Sequence, residues 1–156
     1  MYVSETQKIR PVVEKYCHGS VVDIGCGDDL IVPSAVGVDV RKTSKSQIIT
    51  DKFKTLSTVL NQRFDTVFSS HCLEHIDNDV MAVRDWISLL NDGGHLILYL
   101  PSDDHYDNKS NPDHLHWYKH ESFIAWFGHY FPHMNIIDHG MDIGEDKYSF
   151  YLVAKK

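Results

Sequence analysis

Apolar positions along this chain follow two rhythms. Short, nearly continuous runs read as strands covered on both faces: Val21–Ile24 (VVDI), Ala35–Val40, Gln47–Thr50, Phe64–Ser70 (FDTVFSS) and His95–Leu100 (HLILYL). Around them lie segments with helical spacing. Ile9, Val12, Val13 and Tyr16 approximate one face of a helix from Ser4, its cap, to about Cys17, with Pro11 imposing a kink or a late start. Val80, Val83, Ile87 and Leu90 share a face of a second helix, capped by Asp77 or Asn78, running to Leu90 and stopped by Gly93-Gly94. A third spans His120–Tyr130, with Phe123, Trp126, Phe127 and Tyr130 inward. Asn135–Asp138 and Tyr148–Ala154 form two final strands joined around Gly144-Glu145-Asp146. Strands alternating with helices predict an α/β fold: a Rossmann-like three-layer sandwich whose sheet is mostly parallel, with an antiparallel C-terminal hairpin.

Composition narrows this picture. With 156 residues, 42% of them hydrophobic, the chain suits one domain spanning 1–156. No apolar run approaches the roughly 20 residues that span a bilayer, so no membrane partner is expected. The opening MYVSETQKIRP has no apolar core of a secretory signal. Cys17, Cys26 and Cys72 are odd in number and scattered, which suggests reduced thiols and a cytoplasmic location. A net charge of −7 argues against a nucleic-acid partner gripped through phosphates.

The first strand ends in Gly25-Cys26-Gly27-Asp28-Asp29. In an open parallel sheet, ligands sit beyond the carboxyl ends of the strands, where strand order reverses. Glycines there let backbone approach a ligand closely. Asp39 ends the second strand, where its carboxylate can accept from both hydroxyls of a ribose, and Asp51 follows the third, within reach of an adenine amino group. A dinucleotide would need G-x-G-x-x-G, a helix N-terminus for the pyrophosphate and an acid about 20 residues on. Here Leu30 replaces the third glycine, only 14 positions separate Gly25 from Asp39, and Pro33 limits any following helix to a turn or two. Asp28 and Asp29 would repel a pyrophosphate. A ligand without phosphate fits better, and S-adenosylmethionine, with ribose, adenine and two cationic groups, is one. Asp23, Asp28 or Asp29 would favour its ammonium or sulfonium.

VVDIGCG (21–27), GVDV (37–40), FDTVFSSHCLEHIDN (64–78) and LLNDGGHLILYLP (89–101) occur in the order found in class I S-adenosylmethionine-dependent methyltransferases. Over about half its length the chain resembles the small, type 11-like members of that family. The resemblance implies that Asp23, Gly25, Cys26 and Gly27 lie at the methionine part of the cofactor. It implies that Asp39 holds the ribose, that Asp51 lies near adenine, and that Ser70, His71 and Leu73 pass beside the cofactor. GCGDD stands where GCGTG is commoner. Short versions of this kind resemble a subset found beside sugar and cell-envelope enzymes.

The resemblance implies methyl transfer to an oxygen or nitrogen acceptor. An open pocket in so short a chain suits a glycan end, a nucleotide sugar, another small molecule or a protein, or else a homodimer that closes the site. A cofactor-binding module with little or no catalysis is the alternative. A hydroxyl acceptor would need a base, and histidine is the natural one. His116, His105 and His114, in the polar loop Pro101–Trp117, are the candidates, with Asp103 or Asp104 as orienting acids. His116 is preferred because HLHWY leads into a helix that would hold it. His71-Cys72-Leu73-Glu74-His75 matches the inverted zinc-protease pattern H-x-x-E-H. That chemistry requires both histidines on one helix face, whereas this segment directly follows a strand. No spacing defines a metal site in the loop either, so none is expected.

Overall fold

The apolar runs all join one sheet. In a computed structural model describing residues 1–156, the strands are β1 (Val21–Ile24), β2 (Val36–Asp39), β3 (Ser46–Ile49), β4 (Phe64–Ser70), β5 (Leu90–Pro101), β6 (Asn135–Gly144) and β7 (Lys147–Lys155). Their order is β3-β2-β1-β4-β5-β7-β6. β3 through β5 run parallel, and β7 is antiparallel to both β5 and β6. From β1 the chain winds outward to β2 and β3, then returns to place β4 on the other side of β1. The topological switch point therefore lies between β1 and β4.

Period-two alternation divides the core between the two faces. Val22, Ile24, Val67, Leu96, Leu98, Leu100, Phe150, Leu152 and Ala154 point to one face. There they meet α2 (Asp79–Ser88) and α3 (His120–Tyr130) through Val83, Trp86, Phe123 and Phe127. Val21, Phe68, Ile97, Tyr99 and Val153 point to the other, under α1 (Glu5–Val13), where Ile9 and Val13 cover them with Ile31 and Ala35. The second layer is thin. α1 is its only helix of more than one turn, and the loop after β1 supplies the rest.

Local chemistry sets the element ends. Ser4 Oγ accepts from the Gln7 amide at 2.9 Å, and Asn78 Oδ1 from the Met81 amide at 3.0 Å. Pro11 has no N–H for a carbonyl one turn back, and α1 gives way after Val13 to a 3₁₀ turn, Glu14–Tyr16. Two expectations change. α2 ends at Ser88 rather than at the expected Leu90, because Leu90 is needed as a fully buried strand residue opposite Phe64. The glycine pair sits in a bulge instead. β5 advances from Leu90 to His95 while β4 advances only from Phe64 to Thr66, and Gly93 takes φ 78°. The helix of a turn or two expected after the glycine turn is also absent: residues 25–35 run as bends and turns. In α3, Phe123 and Phe127 are buried while Tyr130 stays exposed.

Trp86 is enclosed, and its Nε1–H donates to the Phe53 carbonyl at 2.8 Å. We expect Trp86→Ala to cost about 3–5 kcal/mol. Trp86→Phe, which leaves that carbonyl unpaired, should cost about 1–3 kcal/mol. Urea unfolding checks both; a Phe variant as stable as the parent would show that the hydrogen bond contributes nothing.

Candidate functional site

The turn that leaves β1 is built by its neighbours. The amides of Gly25 and Cys26 both donate to the Val38 carbonyl at the end of β2, at 2.8 and 3.1 Å. Gly25 has φ 74°, and a Cβ there would stand 2.8 Å from the Cys72 side chain, so only glycine fits. Gly27, at φ 54°, has open space where its Cβ would be. Its N–H donates to Asp39 Oδ2 at 2.9 Å, and Asp39 Oδ1 accepts from the Arg41 amide at 3.2 Å. Each carboxylate oxygen retains acceptor capacity.

Beside this turn opens a cavity of about 690 Å³. Gly25, Cys26, Gly27, Asp28, Asp29 and Arg41 form one side; Tyr2, Ser4, Glu5, Thr6, Gln7 and Arg10 form the other, with Ser70 between them. Two buried polar atoms at this cavity, Glu5 Oε2 and Ser70 Oγ, have no hydrogen-bond partner. Glu5 Oε1, by contrast, is engaged by Lys8 Nζ at 2.7 Å and the Tyr148 hydroxyl at 3.2 Å. A carboxylate oxygen and a hydroxyl left unpaired at the same cavity suit a cationic, hydrogen-bonding ligand group. The wall is not purely acidic, however. Arg10 donates to Asp29 Oδ1 at 2.7 Å and to the carbonyls of Leu30 and Ile31, and the Ser44 amide donates to Asp28 Oδ1 at 2.8 Å. That amide holds the Asp28 carboxyl below its usual range.

The sequence-predicted residues separate into groups. Gly25, Cys26, Gly27 and Ser70 line the cavity, and Asp39 braces the turn from behind. Asp23 is fully buried beneath the turn, where its Oδ2 accepts the Ile31 amide at 2.8 Å and its Oδ1 has no partner. Burial pushes its carboxyl up to about 7, against the opposing effects of the Ile31 bond and Arg10. Leu73 packs in the core and Asp51 is exposed past the end of β3. His71, at φ 47°, places its Nε2 2.9 Å from Ser149 Oγ and 3.5 Å from Glu5 Oε2. Burial, with Lys8 nearby, pulls its pKa down to about 3, so the ring stays neutral.

The loop histidines stand apart from this cavity. His116 Nε2 donates to the Ile76 carbonyl at 2.7 Å, its Nδ1 faces Asp79 Oδ2 at 3.6 Å, and its ring stacks on Tyr118. His114 is buried beside His75, and burial lowers its pKa. His105 is exposed beside a separate hollow lined by Asp103, Asp104, Tyr106, Asp107 and Lys109. Burial raises the Cys26 thiol to about 11, so it is not a thiolate near neutrality. Sequence patterning missed Glu5, Thr6 and Arg10, which read as the polar side of an amphipathic helix. Only the docking of α1 across the sheet turns them toward β1.

A model of the methyltransferase domain family matches residues 6–140. The chain belongs to this methyltransferase family. None of the curated proteins matches it in sequence. Among solved structures it is similar to the N-methyltransferase NodS from Bradyrhizobium japonicum WM9, with TM-score 0.68 at 16% identity, over 97% of this chain and 93% of that one. It is also similar to the plantazolicin methyltransferase BamL in complex with a triazolic desmethylPZN analog and SAH, with TM-score 0.73 at 14% identity, over 97% and 86%. A third is magnesium protoporphyrin IX methyltransferase from Synechocystis PCC 6803 with bound SAH, with TM-score 0.63 at 16% identity, over 97% and 81%. The second and third of these structures hold SAH, and the glycine turn, free Glu5 oxygen and Ser70 hydroxyl of this methyltransferase are chemically fit for a cofactor carrying an ammonium and a sulfonium.

The buried Asp23 makes stability depend on pH. Its native pKa, about 7, lies above the unfolded value of 3.8, so its stabilising share is complete below about pH 4 and gone above about pH 7. Asp23→Asn should match the parent near pH 3.5 and exceed it by about 2–4 kcal/mol at pH 8. Urea denaturation of the cofactor-free protein at the two pH values tests this; an equal offset at both would show that Asp23 does not titrate in this window.

Proposed function

We propose that this methyltransferase acts on an oxygen or nitrogen of a small molecule or glycan end. The observation that supports the reading most strongly is the open cavity between the glycine turn and α1, with its unpaired Glu5 and Ser70 atoms. In the proposed arrangement Asp39 receives the ribose hydroxyls, Gly25 and Gly27 give the cofactor close backbone approach, and Cys26 contacts it without reacting. Glu5 and Ser70 receive the ammonium, a role the sequence reading had assigned to the acids of the turn. Asp23 serves the cofactor indirectly, by holding the loop after the turn. His71 and Leu73 shape the wall from β4, and Asp51 reaches the adenine from the far side.

The cofactor itself supplies an activated methyl group. The chain's task is to hold the acceptor's lone pair in line with that methyl and to exclude water. The cavity of about 690 Å³ gives room beside the N-terminal segment for an acceptor to approach the cofactor. His105, His114 and His116 were the expected bases. The placement of His116, pinned between Ile76 and Asp79, favours a clasp for that loop, with alignment carrying most of the rate.

Asp39→Ala removes the ribose acceptor and the brace on Gly27. We expect affinity for S-adenosylhomocysteine to fall about 30-fold or more, from two lost charge-assisted bonds. Calorimetry with the native fold confirmed by circular dichroism decides it, and unchanged affinity rejects the ribose assignment. A screen with methyl-labelled donor against glycans, nucleotide sugars, small amines and proteins tests the acceptor class; label appearing only in protein would overturn the small-molecule reading.

As a clasp, His116→Ala should destabilise by about 1–2 kcal/mol and leave kcat within about 10-fold of the parent. A loss of about 100-fold or more in kcat, in fully folded protein, would restore His116 as general base.

A further inference from the structure

One buried side chain has no role in the site above. Glu74, in the 3₁₀ turn Leu73–His75 after β4, is fully enclosed, and neither of its carboxylate oxygens has a hydrogen-bond partner. An isolated carboxylate in such a place is costly unless something positive joins it. The fold brings two imidazoles to it. His75 Nε2 lies 3.7 Å from Glu74 Oε1. The loop before α3 is tied to the same turn, because the Leu115 and His116 amides both donate to the Glu74 carbonyl, at 2.8 and 3.3 Å. That docking sets His114 beside His75, with ring centroids 4.8 Å apart. One ligand atom from each of Glu74, His75 and His114 lies within 4.8 Å of the others. A tetrahedral shell with bonds near 2.0–2.1 Å needs separations of about 3.3 Å, so the pairs must close by up to about 1.5 Å as the ion binds, which the exposed His75 ring can supply.

The hydrogen bonds behind the rings decide which nitrogens are free. His75 Nδ1 is 2.9 Å from the Asp113 carbonyl, which can only accept, so Nδ1 carries the proton and Nε2 presents a lone pair toward Glu74. His114 Nδ1 is 2.7 Å from Asn108 Oδ1. The Asn108 amide is oriented by its own Nδ2, which donates to Asp103 Oδ1 and the Tyr106 carbonyl at 3.3 and 3.4 Å, so its oxygen must accept from His114. His114 Nε2 is therefore the unprotonated nitrogen. Imidazoles that donate one N–H to a carbonyl or amide oxygen while the other nitrogen faces a carboxylate have the outer-shell support of metal ligands.

We propose that Glu74, His75 and His114 bind one divalent transition-metal ion of the zinc class. Two imidazole nitrogens and a carboxylate oxygen match that ion's preferences, and three protein ligands leave a position open. His71 links the cluster to the cofactor cavity: its Nδ1 is 4.0 Å from Glu74 Oε1 and its Nε2 is 3.5 Å from Glu5. If methyl transfer proceeds as proposed above, an acceptor hydroxyl or carboxylate is the natural occupant of the open position. The ligands come from two segments joined by tertiary contact, which is why H-x-x-E-H spacing could not reveal them.

The test is metal uptake, which does not depend on methyl transfer. Chelator-stripped protein is titrated with Zn²⁺ against a chromophoric competitor, and with Co²⁺ for visible ligand-field bands of a low-coordinate site. One equivalent should bind. Glu74→Gln and His114→Ala should each weaken binding about 100-fold or more, and Asn108→Ala about 10-fold through lost orientation. Exposed His133→Ala should change nothing. Circular dichroism confirms folding, and Glu74→Gln, isosteric and uncharged, keeps the test open if His114→Ala unfolds. No stoichiometric uptake by folded parent protein, or uptake that survives Glu74→Gln, overturns the proposal. Uptake in a protein that transfers no methyl group upholds it and counts only against the acceptor reading.

Discussion

The connection between β1 and β2 must reverse direction and return parallel with no helix to carry it. Parallel neighbours usually need a crossover of a dozen or more residues, most often helical. Here residues 25–35 do it with turns, and polar bonds replace the missing helix. Asp23 catches the Ile31 amide from below, Arg10 holds Asp29 and two carbonyls from α1, and Asp39 holds Gly27 from β2. The same three contacts fix the rim of the cavity beside the glycine turn, so the device that replaces the missing helix is also the device that shapes the candidate site.

That solution carries an electrostatic cost. Asp23 is stripped of water with one oxygen unpaired, and its carboxyl is pushed to about 7. Glu74, equally enclosed after β4, is pushed up to about 8 by burial. Both acids lie near the carboxyl ends of central strands, flanking the switch point between β1 and β4. In a core where Val22, Ile24, Val67 and Leu98 are all enclosed, such groups persist only where something is gained from their placement, here the turn geometry in one case and a cluster of ligating atoms in the other.

The loop after β5 is long but far from loose. Asp103 pairs through its backbone amide with the Tyr118 carbonyl, His114 with Asn108, and the Leu115–His116 backbone with Glu74. Its histidines thus divide by environment. His116 is a clasp against α2, His114 faces Glu74, and His105 alone is open to solvent. Identical residue types within twelve positions acquire different chemistry because each meets a different partner from elsewhere in the chain.

The sheet was legible in the sequence to a high degree. β1, β4 and α3 have the bounds that the apolar pattern predicts, since buried strands and a strongly patterned helix are specified by local hydrophobicity, although Tyr130 of α3 faces solvent rather than the core. The order of motifs likewise indicated the cofactor class and the glycine turn. Where burial competed with local signals, patterning failed: Gly93-Gly94 looked like a helix stop but lies in a bulge, because Leu90 is worth more in the core than as a helical residue. Glu5 and Arg10 joining the cavity beside the glycine turn, Asp23 being enclosed with the Ile31 amide as its partner, and Glu74 meeting His114 across the fold were all decided by tertiary structure. Periodicity reports which face of an element is apolar, but the partners of its polar side chains depend on distances between segments that no local pattern encodes.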